Sequence, residues 1–157
     1  ITVTDWEKKA VDFTSSRNLM NGTGGDQFAP DVTTTRAMVW TMLARLSGVD
    51  TTTGSSWYAA GQQWAVESGI SDGSDPDGEV TREQLATMLY RYAGEPATSG
   101  SLAGFTDAGE VSGYAEAALK WAVENGIING MGDGTLNPKG EATRAQLAKI
   151  LMYFINL

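Results

Sequence analysis

Three Thr-Arg pairs, Thr35-Arg36, Thr81-Arg82 and Thr143-Arg144, are the residues of this 157-residue chain best placed to do chemistry. A guanidinium is a planar donor fork that suits a carboxylate. A Thr heading a helix marks a terminus with free N–H groups and partial positive charge. Each pair could therefore capture a carboxylate. A cation in a first helical turn is unfavourable for the helix itself, so its presence in all three pairs asks for a reason beyond helix stability. The blander alternative stays open for each: a solvated Arg, or one paired with a neighbouring carboxylate.

Composition removes most other chemistry. The chain has no His and no Cys. That excludes Ser-His-Asp and Cys-His catalysis, His- or thiolate-based zinc sites and disulfides. A net charge of −8 argues against holding a polyanion such as nucleic acid by the overall field, so any anion must be bound locally. No apolar run reaches the ~18 residues of a membrane span. The start at Ile1, without Met or a signal peptide, reads as that of a fragment or processed form.

The elements that carry these pairs follow from hydrophobic period. After Arg36 come Val39, Met42, Leu43 and Leu46; after Arg82 come Leu85, Met88, Leu89 and Tyr92; after Arg144 come Leu147, Ile150, Leu151 and Phe154. These repeated offsets make one face of an α-helix. Gln84 and Gln146 complete capping boxes with Thr81 and Thr143, whereas Met38 in the first copy leaves Thr35 to cap alone. Gly48 and Gly94 are placed for left-handed helix ends.

Upstream of each pair a second helical pattern begins at an aromatic, Trp6, Trp57 or Tyr114, with Phe13, Trp64 or Trp121 seven residues on. That spacing predicts a shared core, although Trp6, Trp57 and Tyr114 could equally present a flat surface to a ligand. Glycine-rich loops, Gly24 to Pro30 and Gly132 to Pro138, join the two helices in copies one and three; copy two lacks five loop residues. Its remaining segment, Asp72 to Gly78, lacks the first and last ligands of a calcium loop and reads as an acidic turn. The chain divides into copies 1–48, 49–94 and 95–157. Such units cannot bury their apolar faces alone, so they must pack on one another, as an open solenoid or a closed pseudo-threefold body.

The order Trp…Trp-Ala-Val…Gly-Ile…Asn-Gly, then Gly-Asp-Gly-Thr-Leu-Asn-Pro, then Ala-Thr-Arg-Ala-Gln-Leu-Ala, resembles the S-layer homology (SLH) domain family. The family's Ile-Thr-Arg-Ala-Glu motif is represented by residues 34–38, 80–84 and 142–146. The resemblance implies an all-α, pseudo-threefold bundle of three repeats. It implies a non-catalytic module on the bacterial cell surface, with no cofactor or metal, that binds secondary cell-wall polysaccharide, often through a pyruvate ketal on an amino sugar. The grooves would lie between copies and use Arg36, Arg82 and Arg144 with Trp6, Trp57 and Tyr114. The alternative is a degenerate scaffold or protein-interaction module without glycan binding. Met38, the shortened second loop and Tyr114 in place of Trp predict one or two competent grooves, with copy three best preserved. Nothing marks a carboxylate pair for glycoside hydrolysis, and oligomeric state is not legible.

Overall fold

The computed structural model describes residues 34–52, 54–128 and 133–155. Trp6, Phe13 and the loop of copy one lie outside them. Among the described residues five α-helices follow in order: α1 (Arg36–Leu46), α2 (Ala59–Glu67), α3 (Arg82–Tyr92), α4 (Glu116–Glu124) and α5 (Arg144–Ile155). Two short 3₁₀ turns, Ala108–Glu110 and Gly113–Ala115, precede α4. Among the described residues no helix is long and apolar enough to cross a membrane.

The motif helices begin directly after the three threonines. Thr81 and Gln84 bond reciprocally at 3.3 and 3.0 Å, and Thr143 and Gln146 both ways at 3.2 Å. Copy one departs from expectation: Met38 does complete its box. The Thr35 hydroxyl accepts from the Met38 N–H at 3.3 Å, and the Met38 thioether, a weak acceptor, takes the Thr35 N–H at 3.5 Å. Gly48 and Gly94 end α1 and α3 at φ of 83° and 88°, the left-handed conformation that glycine adopts without a Cβ penalty.

The body is closed by the residues just before the caps. The Thr34 N–H donates to the Ala142 carbonyl at 2.8 Å, Ala142 to Val80 at 2.9 Å, and Val80 back to Thr34 at 2.8 Å. This cyclic ring of three backbone bonds lies wholly buried and joins all three copies, so the arrangement is pseudo-threefold and no open solenoid. Antiparallel bridges Thr35–Glu79 and Thr81–Glu141 flank it. Apolar side chains of α1, α3 and α5, including Leu43, Leu89 and Leu151, run from there into one contiguous core.

The opening helices pack across the repeat boundary, α2 on α1 and α4 on α3. At the first of these contacts a Cβ on Gly61 would stand 2.8 Å from Thr41 Cα, so the two backbones are nearly touching. At the far end, rings form a run: Trp64–Tyr92 at 6.0 Å, Tyr92–Phe154 at 5.7 Å, Phe154–Trp121 at 6.0 Å and Trp121–Tyr90 at 5.5 Å. Trp64 and Trp121 thus join the core as expected. Trp57 and Tyr114 do not: they are 57% and 56% exposed. The helices start at Ala59 and Glu116, after the aromatics, so the helical period does not extend back to them.

Candidate functional site

A cavity of about 290 Å³ opens where three copies meet. Copy one contributes Arg36 from the first turn of α1. Copy two contributes Ser71 and Asp72 from the turn after α2, and Gln84 and Arg91 from α3. Copy three contributes Tyr114 from the 3₁₀ turn before α4. Thus an Arg and an aromatic from different copies, two of the residues singled out from sequence, share one groove.

Arg36 is mostly buried, with its side chain 23% exposed. Its Nε is buried and has no hydrogen-bond partner among the described residues. Its Nη2 lies 3.7 Å from Asp72 Oδ1, beyond hydrogen-bond reach. Asp72 is held back by its own turn, because Oδ1 accepts the Ser74 N–H at 2.9 Å and hydroxyl at 2.6 Å. Those bonds keep its carboxyl below the ordinary aspartate range. The acidic segment 72–78 thus turns twice, through an Asx turn at Asp72–Ser74 and a backbone turn in which the Gly78 N–H donates to the Asp75 carbonyl at 3.0 Å. Arg91 donates to the Ile70 carbonyl at 3.1 Å and braces the same wall.

Tyr114 and the Gln84 side chain line the same cavity wall. Burial, then the Glu83 carboxylate, raise the Tyr114 hydroxyl above the ordinary value, which keeps the phenol neutral. Beside it, Glu83 is 2% exposed and receives Lys139 Nζ at 2.5 Å and the Ser112 N–H and hydroxyl, both at 2.9 Å. Burial alone would raise Glu83; the Lys139 and Ser112 bonds outweigh it, and the carboxyl lies below its ordinary value. Lys139 also bonds Ser112 Oγ. The cluster ties α3 to the turn that carries Tyr114.

The other motif arginines are placed differently. Arg82 is 6% exposed, and its Nε donates to the Leu136 carbonyl of the copy-three loop at 2.9 Å. Asp107 fixes that loop by accepting the Leu136 and Asn137 N–H groups, both at 2.8 Å. Burial lowers the Arg82 pKa and Asp107 partly restores it. Arg144 is 4% exposed, and burial lowers it likewise. Trp57 stands on the turn before α2, edge-on to Tyr58 at 5.4 Å, while Trp6 lies outside the described residues.

The free helix-terminal N–H groups expected from sequence are not free in α1 and α3. The Arg36 and Ala37 N–H groups donate to Gly78 and Pro76 carbonyls at 2.9 and 3.0 Å; Arg82 and Glu83 donate to Gly140 and Pro138 at 2.8 and 3.0 Å. The threonine hydroxyls take the third N–H of each helix. An anion in the groove would therefore meet side chains and the residual helix dipole, not bare amides. Sequence reasoning also missed Asp72, Gln84 and Arg91 as groove residues. The one available signal was Asp72 itself, which stands where the other copies have Asn21 and Asn129.

Comparison with known proteins agrees with this architecture. The S-layer homology domain model matches residues 2–37 and 104–148, just over half of the chain. The stretch it leaves out contains the copy with the shortened loop. The chain is 29% identical over 94% of its length to an amylopullulanase of Thermoanaerobacterium thermosulfurigenes. It is 30% identical, again over 94%, to the exoglucanase XynX of Acetivibrio thermocellus. It spans 9% and 15% of those relatives' lengths. With the ring of caps, the repeated Thr-Arg helices and these matches together, the chain belongs to the S-layer homology domain family, whose members are non-catalytic cell-wall anchoring modules.

Proposed function

We propose that this chain anchors a larger polypeptide to the bacterial cell surface by binding secondary cell-wall polysaccharide that carries pyruvate ketals on an amino sugar. The observation that carries the reading is that Arg36 and Tyr114, from different copies, line one groove. A ketal carboxylate would take the Arg36 guanidinium where it borders the cavity. The sugar ring would lie on the half-exposed face of Tyr114. Desolvation in a narrow groove strengthens a charge-assisted bond that would be weak in open water.

Arg82 supports the scaffold alternative for its own groove, since its Nε is committed to a backbone carbonyl. Trp57 remains a second exposed aromatic at the equivalent place in copy two. The test is co-sedimentation with purified pyruvylated cell-wall polysaccharide and with the same material after depyruvylation. Retention on the first alone is expected, with Arg36→Ala and Tyr114→Ala each weakening it. Equal retention on both polymers, or on neither, would reject the carboxylate mechanism.

A further inference from the structure

We infer that Asp72 is a built-in competitor for Arg36, a carboxylate of the chain's own that faces the guanidinium a ligand carboxylate must approach. This inference rests on the carboxylate-binding reading of the groove.

The comparison between copies carries it. Copies two and three can be aligned through their loop ends, because Asp75 and Asn137 share left-handed φ values of 51° and 53°. Each then receives the N–H of the glycine three residues on, at 3.0 and 3.1 Å. Just before that point copy three has Leu136, whose carbonyl satisfies Arg82 Nε. Copy two has Ser74 there and lacks five upstream residues. Arg36 Nε has no described partner, and its guanidinium borders the open cavity. The shortened loop, which from sequence promised a defective groove, is thus what leaves Arg36 available.

The same shortening brings Asp72 to that groove: its turn repeats the one at Asp133 in copy three, where Oδ1 likewise holds the Thr135 N–H and hydroxyl at 3.0 and 2.6 Å, but Asp72 ends beside the groove arginine. Asp72 Oδ1 stops 3.7 Å from Arg36 Nη2 because Ser74 holds it. The pair is therefore a through-space attraction rather than a closed bridge, and it leaves the fork unsatisfied. A ligand carboxylate reaching Arg36 would come close to Asp72 and be repelled by it. Asp72 is 73% exposed, so the penalty is that of a screened surface charge. Strongly charged ligands would be disfavoured most.

Asp72→Asn tests this without disturbing the turn, because an amide oxygen accepts the same two bonds from Ser74. Affinity for pyruvylated polysaccharide is measured for wild type, Asp72→Asn, Arg36→Ala and the double variant. The expected result is a gain of about two- to fivefold for Asp72→Asn, the range of a surface ion pair, which disappears in the double variant. Binding by Asp72→Asn alone, with none by wild type, also supports the inference. Loss in Arg36→Ala with no gain in Asp72→Asn overturns the role of Asp72 and leaves the groove reading standing. Undiminished binding by Arg36→Ala, or no binding by any variant, overturns both.

Discussion

Replacing Gly61 by Ala should destabilise this protein, although the substitution puts the best helix former into a helix. In isolation the change favours α2 by about 1 kcal/mol of propensity, and burial of a methyl adds about 0.8 kcal/mol. Against this, the new Cβ would lie 2.8 Å from Thr41 Cα and 2.9 Å from Thr41 N and Oγ1. Ordinary carbon contacts need about 3.5–4.0 Å, so α2 must retreat by roughly 1 Å. The obstacle is the backbone of α1, which has no rotamer to change. Overpacking against a rigid backbone falls at the upper end of the usual range, about 3 kcal/mol, which leaves a net loss of about 1 kcal/mol. For a domain of this size that corresponds to a fall of roughly 2–4 °C in Tm. Groove binding should weaken too, because α2 leads into Ser71 and Asp72 on the groove wall. A circular-dichroism melt of Gly61→Ala beside wild type decides the matter. The equivalent position in copy three is Ala118, buried with 1% exposure, and Ala118→Gly should also lower Tm, by the propensity cost of about 1 kcal/mol. A Tm for Gly61→Ala at or above wild type would refute the close-approach argument.

The three motif arginines should separate in stability measurements. Arg82→Ala removes a buried bond from a charged donor to the Leu136 carbonyl and should cost about 1.5–3 kcal/mol; Arg36→Ala breaks no comparable bond among the described residues and should cost less, about 1 kcal/mol. Arg144→Ala should also lower Tm, since Arg144 is 4% exposed; equal melting of all three variants would contradict the division. Glu83→Gln should reduce stability at neutral pH, and the deficit should shrink in acid. The Glu83 carboxyl is held below its ordinary value, so its contribution is present above the unfolded pKa of about 4.3 and is lost as pH falls through the folded value. Paired melts at pH 7 and pH 3 measure the change, and a deficit that grows in acid would show the sign to be wrong.

Much of this molecule was determined by sequence alone, wherever the cause is local. The motif helices followed from apolar offsets that any amphipathic helix must keep, and their starts from threonine hydroxyls within three residues of the amides they cap. The left-handed glycines followed from the absence of a Cβ, and the lack of His and Cys bounded the chemistry before any fold was known. What the tertiary structure decided depends on residues distant in the chain. Ring closure through Thr34, Val80 and Ala142 uses backbone groups that carry no sequence signature. The seven-residue aromatic pattern failed at Trp57 and Tyr114 because helix starts are set by the turns that precede them. Three identical Thr-Arg pairs became one groove arginine, Arg36, beside two buried ones, because burial depends on which loop lies over each side chain. The shortened loop of copy two, legible as a defect, acquires a different meaning once Arg36, Asp72 and Tyr114 stand around one cavity. Periodicity specifies each unit, and the packing of unlike units specifies which motif arginine borders an open cavity and which are buried.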